Sequence, residues 1–312
     1  MKLQEPKVKR DLLSIFDLSK KEIEDILARA AELKAKLKAG IREESLKGKT
    51  LAMIFEKPSS RTRISFEVGM YQLGGQALFL AQDIQLGIRE SIPDSGRLLS
   101  RYVNGIMMRT FGHEKIVELA QNASIPVING LSDLLHPCQI LSDVFTIKEV
   151  LGDYKGVKVA YVGDGNNIAN SLLEGSSLLG INLAIATPQG YEPDAKIRQR
   201  ALEMAKTSGA TIEMHWEPSE AVQGADIIYT DVWTSMGQEA ESQKRVLDFQ
   251  GYQVDKQLVE KAKSKVWIMH CLPVHRGEEI SAEVIDGEHS IVFDQAENRL
   301  HVQKAILEFL MG

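Results

Sequence analysis

Residues 59–63 combine the side chains best suited to bind a small anion. They read Ser-Ser-Arg-Thr-Arg and follow an apolar run at residues 51–55 and a proline at position 58. A strand that ends at a proline and a helix that begins at a serine would gather hydroxyls, two guanidinium groups and the first helix N–H groups in one turn. Such a helix start binds phosphate readily. The same residues suit a capped surface helix with Ser59 or Ser60 as N-cap, but two arginines oppose the helix dipole and favour the anion site.

Two more polar motifs lie in the first half of the chain. Arg109 ends an apolar run, and His136-Pro137-Cys138-Gln139 opens a long helical pattern. Taken alone, Arg109 suits the rim of a sheet, and Pro137 suits the first position of a helix. The functional interpretation is that Arg109, His136 and Gln139 direct hydrogen-bond donors at the same anion.

A glycine-containing turn at residues 163–167 reads Gly-Asp-Gly-Asn-Asn and follows an apolar run at 157–162. It is similar to the start of a dinucleotide fingerprint, but Ile168 stands where the third glycine is required, so a nicotinamide site is weakly supported. Asn166 and Asn167 suit helix caps, and they are also good partners for the charged ends of an amino acid.

Asp231 and Cys271 each follow an apolar run, at 226–230 and 266–269. A carboxylate at a strand end could hold an amine or cap a helix. Two histidine–cysteine pairs, His136 with Cys138 and His270 with Cys271, raise a zinc site as a second hypothesis. A lone thiol raises a cysteine nucleophile as a third. The zinc site is disfavoured because adjacent residues on a strand point to opposite faces. Neither alternative explains the anion-binding segment.

Strand-like and helix-like patterns alternate along the chain, which predicts two doubly wound parallel-sheet α/β domains. A turn-rich break at 152–156 places the boundary near residue 150. In such sheets ligands bind beyond the carboxyl ends of the strands, where the polar motifs lie. The predicted strands are 50–55, 77–80, 105–108, 126–129, 157–162, 182–187, 226–230, 266–270 and 291–293. The predicted helices include 19–37, 60–73, 93–102, 114–122, 138–150 and 298–311.

Composition excludes several classes of protein. The 312 residues are 44% hydrophobic and carry a net charge of −6, which argues against a general nucleic-acid binder. Two cysteines are too few for a disulfide framework and fit a reducing compartment. We find neither a signal peptide pattern nor an apolar stretch long enough for a membrane span. We therefore expect a cytoplasmic protein without nucleic-acid or membrane partners.

Together these motifs resemble those of the carbamoyltransferase family, in the same order over nearly the whole chain. Residues 58–63 resemble the family's Ser-Thr-Arg-Thr-Arg carbamoyl-phosphate loop, with Ser60 in place of the usual threonine, a change that keeps the hydroxyl. Asp231, the Ser-Met-Gly segment at 235–237 and the His-Cys-Leu-Pro motif at 270–273 resemble the ornithine-specific branch. The resemblance implies transfer of the carbamoyl group of carbamoyl phosphate to the side-chain amine of L-ornithine, giving L-citrulline and phosphate.

The resemblance also implies roles for individual residues. The expected catalytic residues are Arg109, His136, Cys271 and Arg299. The expected carbamoyl-phosphate contacts are Ser59, Ser60, Arg61, Thr62, Gln85, Arg109, His136, Pro137, Cys138, Gln139, Cys271, Leu272 and Arg299. The expected ornithine contacts are Asn167, Asp231, Ser235 and Met236.

Architecture and assembly follow from the same resemblance. It implies a carbamoyl-phosphate domain at 1–150, completed by the last helix at 298–312, and an ornithine domain at 151–297. The first and last helices are expected to pack on the N-terminal domain. No metal or organic cofactor is implied, and part of the site is expected to be completed across a subunit boundary in a homotrimer or an assembly of trimers.

Four questions stay open at the level of sequence. The amine could differ from ornithine, as in a putrescine enzyme, or the chain could be a non-catalytic phosphate-binding relative. The direction of the reaction, in arginine biosynthesis or in arginine deiminase-type catabolism, is undetermined. The final proton acceptor could be Cys271 or the departing phosphate. Arg63 has no assigned role beyond bracing the loop.

Overall fold

The computed structural model describes residues 9–81 and 89–312 and divides into two compact units. The N-terminal unit comprises the described residues up to Cys138 together with Leu300–Gly312. Its strands are β1 (Thr50–Phe55), β2 (Gln76–Leu80), β3 (Gly105–Arg109) and β4 (Val127–Leu131). Its helices are α1 (Lys20–Lys38), α2 (Ser60–Gln72), α3 (Ile92–Tyr102) and α4 (His113–Asn122). The strands form a parallel sheet in the order β2-β1-β3-β4.

Strands β1 and β3 are almost entirely buried, as expected for a parallel sheet whose strands are continuous apolar runs. Helix α1 begins where the sequence predicts, at a capping box. The Ser19 side chain accepts from the Glu22 N–H, and the Glu22 carboxylate accepts from the Ser19 N–H. Both the strand pattern and the first helix are therefore set by local sequence.

The second unit is Gln139–Arg299. Its strands are β5 (Lys158–Val162), β6 (Asn182–Ala186), β7 (Ile212–His215), β8 (Ile227–Thr230) and β9 (Trp267–His270), paired in parallel in the order β7-β6-β5-β8-β9. Its longer helices are α5 (Pro137–Leu151), α6 (Asn167–Leu179) and α7 (Ala195–Ser208). Shorter helices follow: α8 (Pro218–Ala221), α9 (Ser242–Asp248), α10 (Lys256–Val259) and α11 (Ala282–Ile285). The last helix, α12 (Val292–Met311), begins in this unit and ends in the N-terminal unit.

Helix α1 and the part of α12 from Leu300 onward both pack within the N-terminal unit, as predicted for the first and last helices. Arg29 on α1 donates to Glu308 on α12 at 2.9 Å. Lys304 on α12 donates to Gln72 at the end of α2, also at 2.9 Å. Among the helices described, none combines the length and apolar character that crossing a lipid bilayer requires.

Helix α5 belongs to a different unit from the one expected from the predicted boundary at residue 150. All of it from Gln139 onward belongs to the second unit. Its buried Asp143 accepts hydrogen bonds from Tyr229 and Gln295, both of which lie in that unit. The compact units therefore separate at Cys138, whereas the functional division at residue 150 stays a prediction.

One predicted strand is wrong and one observed strand was missed. Residues 291–293 were expected to be a strand, but α12 begins at Val292. Only Ser290 forms a bridge, with Ile268, before the chain turns into the helix. The missed strand is β7, which alternates apolar and polar residues at the edge of the sheet and so lacks the continuous apolar run of the inner strands.

Candidate functional site

The carboxyl end of the first sheet gathers the predicted anion-binding residues of the N-terminal unit. Phe55 of β1 lies opposite Arg109 of β3, and Arg109 lies opposite Leu131 of β4. Because the three strands are parallel, the segments that follow them leave the same edge side by side. The fold therefore brings residues 56–62, Arg109 and residues 132–138 to one edge.

The start of α2 is both capped and electropositive. Ser59 is the N-cap, with extended backbone (φ −165°, ψ 113°), and its side chain accepts from the Thr62 N–H at 3.2 Å. The Ser59 hydroxyl also donates to the Thr62 Oγ1 at 3.1 Å. Ser60 is exposed, Arg61 is half-buried, and the first turn carries no acidic residue. The capping and anion-binding interpretations are thus compatible, since the cap satisfies one N–H group and leaves the positive end uncompensated.

The two arginines of the motif have different surroundings. Arg63 is exposed, donates to Glu67 one turn along the helix at 3.0 Å, and lies over the Phe79 ring at 3.8 Å from its centroid. These contacts link α2 to the edge strand β2. They engage Arg63 within the fold and single out Arg61 as the arginine of the motif suited to an anion.

The remaining predicted residues of this edge are buried. Arg109 is 9% exposed and His136 is 3% exposed. Pro137 begins α5, as its position predicted. The Cys138 thiol donates to the Asn129 carbonyl of β4 at 3.5 Å, a contact that ties the helix start to the sheet. Gln85, also predicted to contact carbamoyl phosphate, lies outside the described residues.

The second sheet presents an equivalent edge in the other unit. Val162 of β5 pairs with Thr230 of β8, which pairs with His270 of β9. The residues after these three strands are residues 163–167, Asp231 and Cys271. The parallel register therefore brings the glycine turn, the carboxylate and the thiol together.

Asp231 is the centre of this second group. Asn166 donates from Nδ2 to Asp231 Oδ2 at 2.8 Å, and the Cys271 thiol donates to Asp231 Oδ1 at 3.0 Å. Asn166 also caps α6, because its Oδ1 accepts from the Ile168 N–H at 2.9 Å. Asp231 is 5% exposed, so the fold holds a carboxylate beside a thiol at a nearly buried position. Asn167, the predicted ornithine contact, is the first residue of α6.

The glycine turn has a structural explanation that needs no nucleotide. The Gly165 N–H donates to the Tyr191 carbonyl at 2.8 Å. A Cβ atom at residue 165 would lie 2.3 Å from the Pro193 backbone nitrogen, far inside van der Waals contact. Glycine is thus required by the close approach of the chain at 191–193.

Ser235 and Met236 lie in a loop that is fastened to the sheet edge. Ser235 is half-buried and Met236 is 43% exposed. Just before them, the Trp233 carbonyl accepts from Arg245 of α9 at 2.8 Å, and Arg245 also pairs with Asp164 at 3.0 Å. Burial raises the pKa of Asp164 to about 6, although the charge of Arg245 opposes the shift.

The histidine before Cys271 has a defined tautomer. His270 is fully buried, with Nε2 3.0 Å from Glu279 Oε1, and its Nδ1 accepts from the Leu272 N–H at 2.8 Å. The ring therefore carries a proton on Nε2, assigned from these partners. Leu272, a predicted carbamoyl-phosphate contact, has a left-handed backbone with φ of 60°.

His270 and Cys271 lie closer together than adjacent residues within a strand, which point to opposite faces, were expected to lie. Candidate ligand atoms of Asp231, His270 and Cys271 lie within 4.8 Å of one another, because Cys271 already lies beyond the end of the strand. Both ring nitrogens of His270 are nevertheless engaged, by Glu279 and by the backbone of Leu272. A metal bound there would have to displace one of these contacts.

Two further residues that were predicted to contact carbamoyl phosphate, Gln139 and Arg299, are hydrogen-bonded to each other in the second unit. Arg299 donates from Nη1 to Gln139 Oε1 at 2.9 Å, and both side chains are nearly buried. Gln139 donates in turn to Asp143 at 2.8 Å. Asp143, Arg245 and Glu279 were not predicted. The only signal was for Asp143, which lies four residues after Gln139 and thus on the same helix face.

The fold is that of an α/β protein with two parallel-sheet units, each of which carries predicted site residues at the carboxyl edge of its sheet. A family model described as the carbamoyl-P binding domain of aspartate/ornithine carbamoyltransferase matches residues 10–149. A second model, described as the Asp/Orn binding domain, matches residues 155–310. The chain belongs to the aspartate/ornithine carbamoyltransferase family.

Within this family, the chain is similar to individual proteins named ornithine carbamoyltransferase. The ornithine carbamoyltransferase of Syntrophus aciditrophicus is 56% identical over 305 residues, which are 97% of this chain and 100% of that protein. That of Carboxydothermus hydrogenoformans is 57% identical over 304 residues, covering 97% and 98%. The solved structure of ornithine carbamoyltransferase from Pyrococcus furiosus matches with a TM-score of 0.95 and 54% identity, covering 98% of both chains.

Proposed function

We propose that this protein transfers the carbamoyl group of carbamoyl phosphate to the side-chain amine of L-ornithine and releases L-citrulline and phosphate. The observation that carries the proposal is the Asp231 carboxylate, nearly buried between Asn166 and Cys271 at the carboxyl end of β8. A carboxylate held in this way suits an alkyl ammonium group. Relatives named ornithine carbamoyltransferase, 56% and 57% identical over 97% of the chain, support ornithine as the amine.

Binding of the phosphate group is assigned to the start of α2. Ser59, Ser60, Arg61 and Thr62 would surround the phosphate oxygens, with Arg61 supplying charge and the helix N–H groups supplying direction. The absence of an acidic side chain in the first turn of α2 supports this assignment. Pro137 and Cys138 would hold the start of α5 in place beside it, and Gln85 keeps its predicted role as a contact.

Charge that develops on the carbonyl oxygen during attack needs hydrogen-bond donors. We assign Arg109, His136 and Arg299 to this role, with Gln139 and Leu272 as further contacts of the carbamoyl group. Removing one donor of this kind typically costs about 2.7–4 kcal/mol of transition-state stabilisation.

The attacking amine must lose a proton before it can react. An alkyl ammonium group with a pKa of about 10.4 is neutral in about one molecule in 2,500 at pH 7, and deprotonation costs about 4.6 kcal/mol. Asp231 stabilises the charged amine, so its role is binding and orientation. Because the Cys271 thiol already carries a hydrogen and donates it to Asp231, we propose that the amine's proton passes to the departing phosphate, with Cys271 as a contact beside the amine.

Selection of ornithine over other amines is assigned to the residues that would contact its α-amino and α-carboxylate groups. These are Asn167, at the start of α6, and Ser235 and Met236, in the loop fastened by Arg245. A diamine such as putrescine lacks the α-carboxylate and so could not make this contact with these side chains.

The assay that tests the function supplies carbamoyl phosphate with ornithine, putrescine, aspartate or acetylornithine and measures the ureido product. We expect product from ornithine, with the other amines about 10,000-fold slower, the discrimination typical of a site whose polar groups lose their partner when the substrate lacks a polar group. If putrescine gave product as fast as ornithine, the assignment of ornithine as the substrate would be wrong. If no amine gave product, a non-catalytic relative would be favoured.

We further propose a homotrimer, or an assembly of trimers, in a reducing cytoplasmic setting and within arginine metabolism, biosynthetic or catabolic. In support of assembly, the N-terminal unit exposes several large apolar side chains: Ile64 and Tyr71 on α2 are 58% and 71% exposed, and Tyr102 on α3 is 72% exposed. Light scattering should report a mass of three chains or a multiple of three. Cys138 and Cys271 are both present as thiols, which suits a reducing compartment.

A further inference from the structure

A buried carboxylate, Asp143 on α5, lies one helical turn after Gln139 and is absent from the site predicted from sequence. It is 1% exposed and accepts three hydrogen bonds: from Gln139 at 2.8 Å, from Gln295 at 2.8 Å and from Tyr229 at 3.1 Å. Every one of these donors is itself at least nine-tenths buried. Asp143 is therefore the acceptor around which a group of buried polar side chains is arranged.

The Gln139 amide is oriented by two charged groups. Its Oε1 accepts from Arg299, and its Nε2 donates to Asp143. A glutamine amide can rotate by half a turn at little cost unless its partners distinguish oxygen from nitrogen. With a carboxylate on one side and a guanidinium on the other, only one orientation satisfies both. Asp143 thereby fixes the oxygen that receives Arg299.

The second amide is fixed in the same way. Gln295 donates from Nε2 to Asp143 and to the Tyr229 hydroxyl, and its Oε1 accepts from the His270 N–H at 2.9 Å. His270 directly precedes Cys271. One carboxylate thus orients two amides, one against Arg299 and one against the backbone end of β9.

A purely structural role would not require a charge at this depth. Burying a carboxylate is costly unless it is fully hydrogen-bonded, and apolar replacements of similar volume often serve stability equally well. The acceptor geometry, by contrast, is specific to a carboxylate, because each of its three partners donates.

We propose that Asp143 is a positioning residue for the carbamoyl-phosphate contacts: it holds Gln139, and through Gln139 the Arg299 guanidinium, in the orientation that receives the carbamoyl group. The inference rests on the proposed function, since Gln139 and Arg299 are contacts only if carbamoyl phosphate is the substrate. Asp143 itself does not touch the substrate in this scheme.

The test compares Asp143→Asn with Thr146→Val. Thr146 lies one turn further along α5, is fully buried, and its hydroxyl accepts from Asn298 at 2.9 Å and donates to the Ser142 carbonyl at 2.8 Å. Each variant perturbs buried hydrogen bonds between α5 and its surroundings. Only the first removes the carboxylate that orients Gln139.

At pH 8 we expect Asp143→Asn to raise the KM for carbamoyl phosphate about tenfold, the effect of weakening one hydrogen bond to a charged group, with a lower kcat. The KM for ornithine should change less than about twofold, and Thr146→Val should change neither KM, although both variants should lower the melting temperature. Equal changes in both KM values, or the same pattern in Thr146→Val, would show a general structural role and overturn the proposal.

Two measurements keep the outcome interpretable. If Asp143→Asn fails to fold, Tyr229→Phe serves instead, because it removes one donor to Asp143 and leaves the carboxylate in place. It should raise the same KM by a smaller factor. Calorimetric titration of carbamoyl phosphate into the wild-type protein and the variants needs no turnover. Loss of affinity in Asp143→Asn supports the positioning role even if the amine is reassigned, whereas unchanged affinity contradicts it.

Discussion

The two sheet edges present their polar residues in different states. At the edge of the N-terminal unit, Arg61 is half-buried at a helix start that has no acidic residue in its first turn. At the edge of the second unit, both oxygens of Asp231 already accept hydrogen bonds, from Asn166 and Cys271. The first edge carries a helix start without acidic side chains, and the second holds its carboxylate in a hydrogen-bond network.

This difference indicates two modes of recognition in one chain. A phosphate dianion gains most of its affinity from charge and helix N–H groups, so the first edge should be sensitive to the loss of a cation and to salt. An amino acid with charges at both ends must be oriented, so the second edge should be sensitive to changes that keep size but alter donor and acceptor.

The largest effect is expected from removing Arg61, the cation proposed to bind the phosphate group. Arg61→Ala should lower kcat/KM for carbamoyl phosphate on the order of 100- to 1,000-fold, the range for loss of a positioned donor to developing charge. The matched control is Arg63→Ala on the same helix, because Arg63 pairs with Glu67 and lies over Phe79. It should keep activity within a few-fold, as expected for an exposed pair. Initial rates with carbamoyl phosphate varied would check both, and comparable losses would remove the distinction between the arginines.

The next effect tests the ordered edge. Asp231→Asn keeps the size of the side chain but removes the charge and turns one acceptor into a donor, facing either Asn166 or Cys271. The KM for ornithine should rise roughly 10- to 100-fold, consistent with about 1.5–3 kcal/mol for a hydrogen bond to a charged group. The KM for carbamoyl phosphate should change much less.

Its control lies at the other end of the same strand. Asp226 accepts from the Lys158 N–H at 2.9 Å and pairs with Lys263 at the amino end of β8. Asp226→Asn should lower stability slightly and leave both KM values unchanged. If Asp226→Asn raised the ornithine KM as much as Asp231→Asn, the effect would reflect the sheet and not the edge.

The sequence predicted what depends on local pattern. Strands β1, β3, β5 and β8 are continuous apolar runs, and their bounds agree with the prediction within one residue. The Ser19 cap and the Ser59 cap depend on residues three positions apart. Placing polar residues after parallel strands was then enough to group Asp231 with Cys271, because parallel order fixes which strand ends meet.

What the sequence did not predict depends on contacts between distant segments. Arg245 and Asp164 are 81 positions apart, and Gln295 and Asp143 are 152 positions apart, so no spacing reveals them. The wrong strand at residues 291–293 has a different cause, since here the local sequence favoured a structure that the fold does not use. Its β-branched pair, Ile291-Val292, favours a strand locally, but the sheet offers only one bridge there and the chain continues as α12.

The smallest effect concerns stability at the buried carboxylate. Burial raises the pKa of Asp143 to about 7, even though hydrogen bonds from Gln139, Gln295 and Tyr229 and the charge of Arg299 oppose the shift. In the unfolded chain an aspartate titrates near about 3.9. Between these values the native state holds a proton that the unfolded state has lost, so stability from this group falls as pH rises through about 7.

Asp143→Asn removes this titration, because asparagine stays neutral at every pH. From about pH 5.5 to 8, the free energy of unfolding of the wild type should fall relative to that of the variant by up to roughly 2 kcal/mol, seen as a few degrees in the difference between melting temperatures. Asp164, whose pKa is also raised, titrates in both proteins and cancels in that difference. Parallel pH profiles would mean that Asp143 ionises normally. If the free energy of unfolding of the wild type instead falls relative to that of the variant as pH rises, then the ionised carboxylate, which orients Gln139 at pH 8, is held in the native state against the cost of burial.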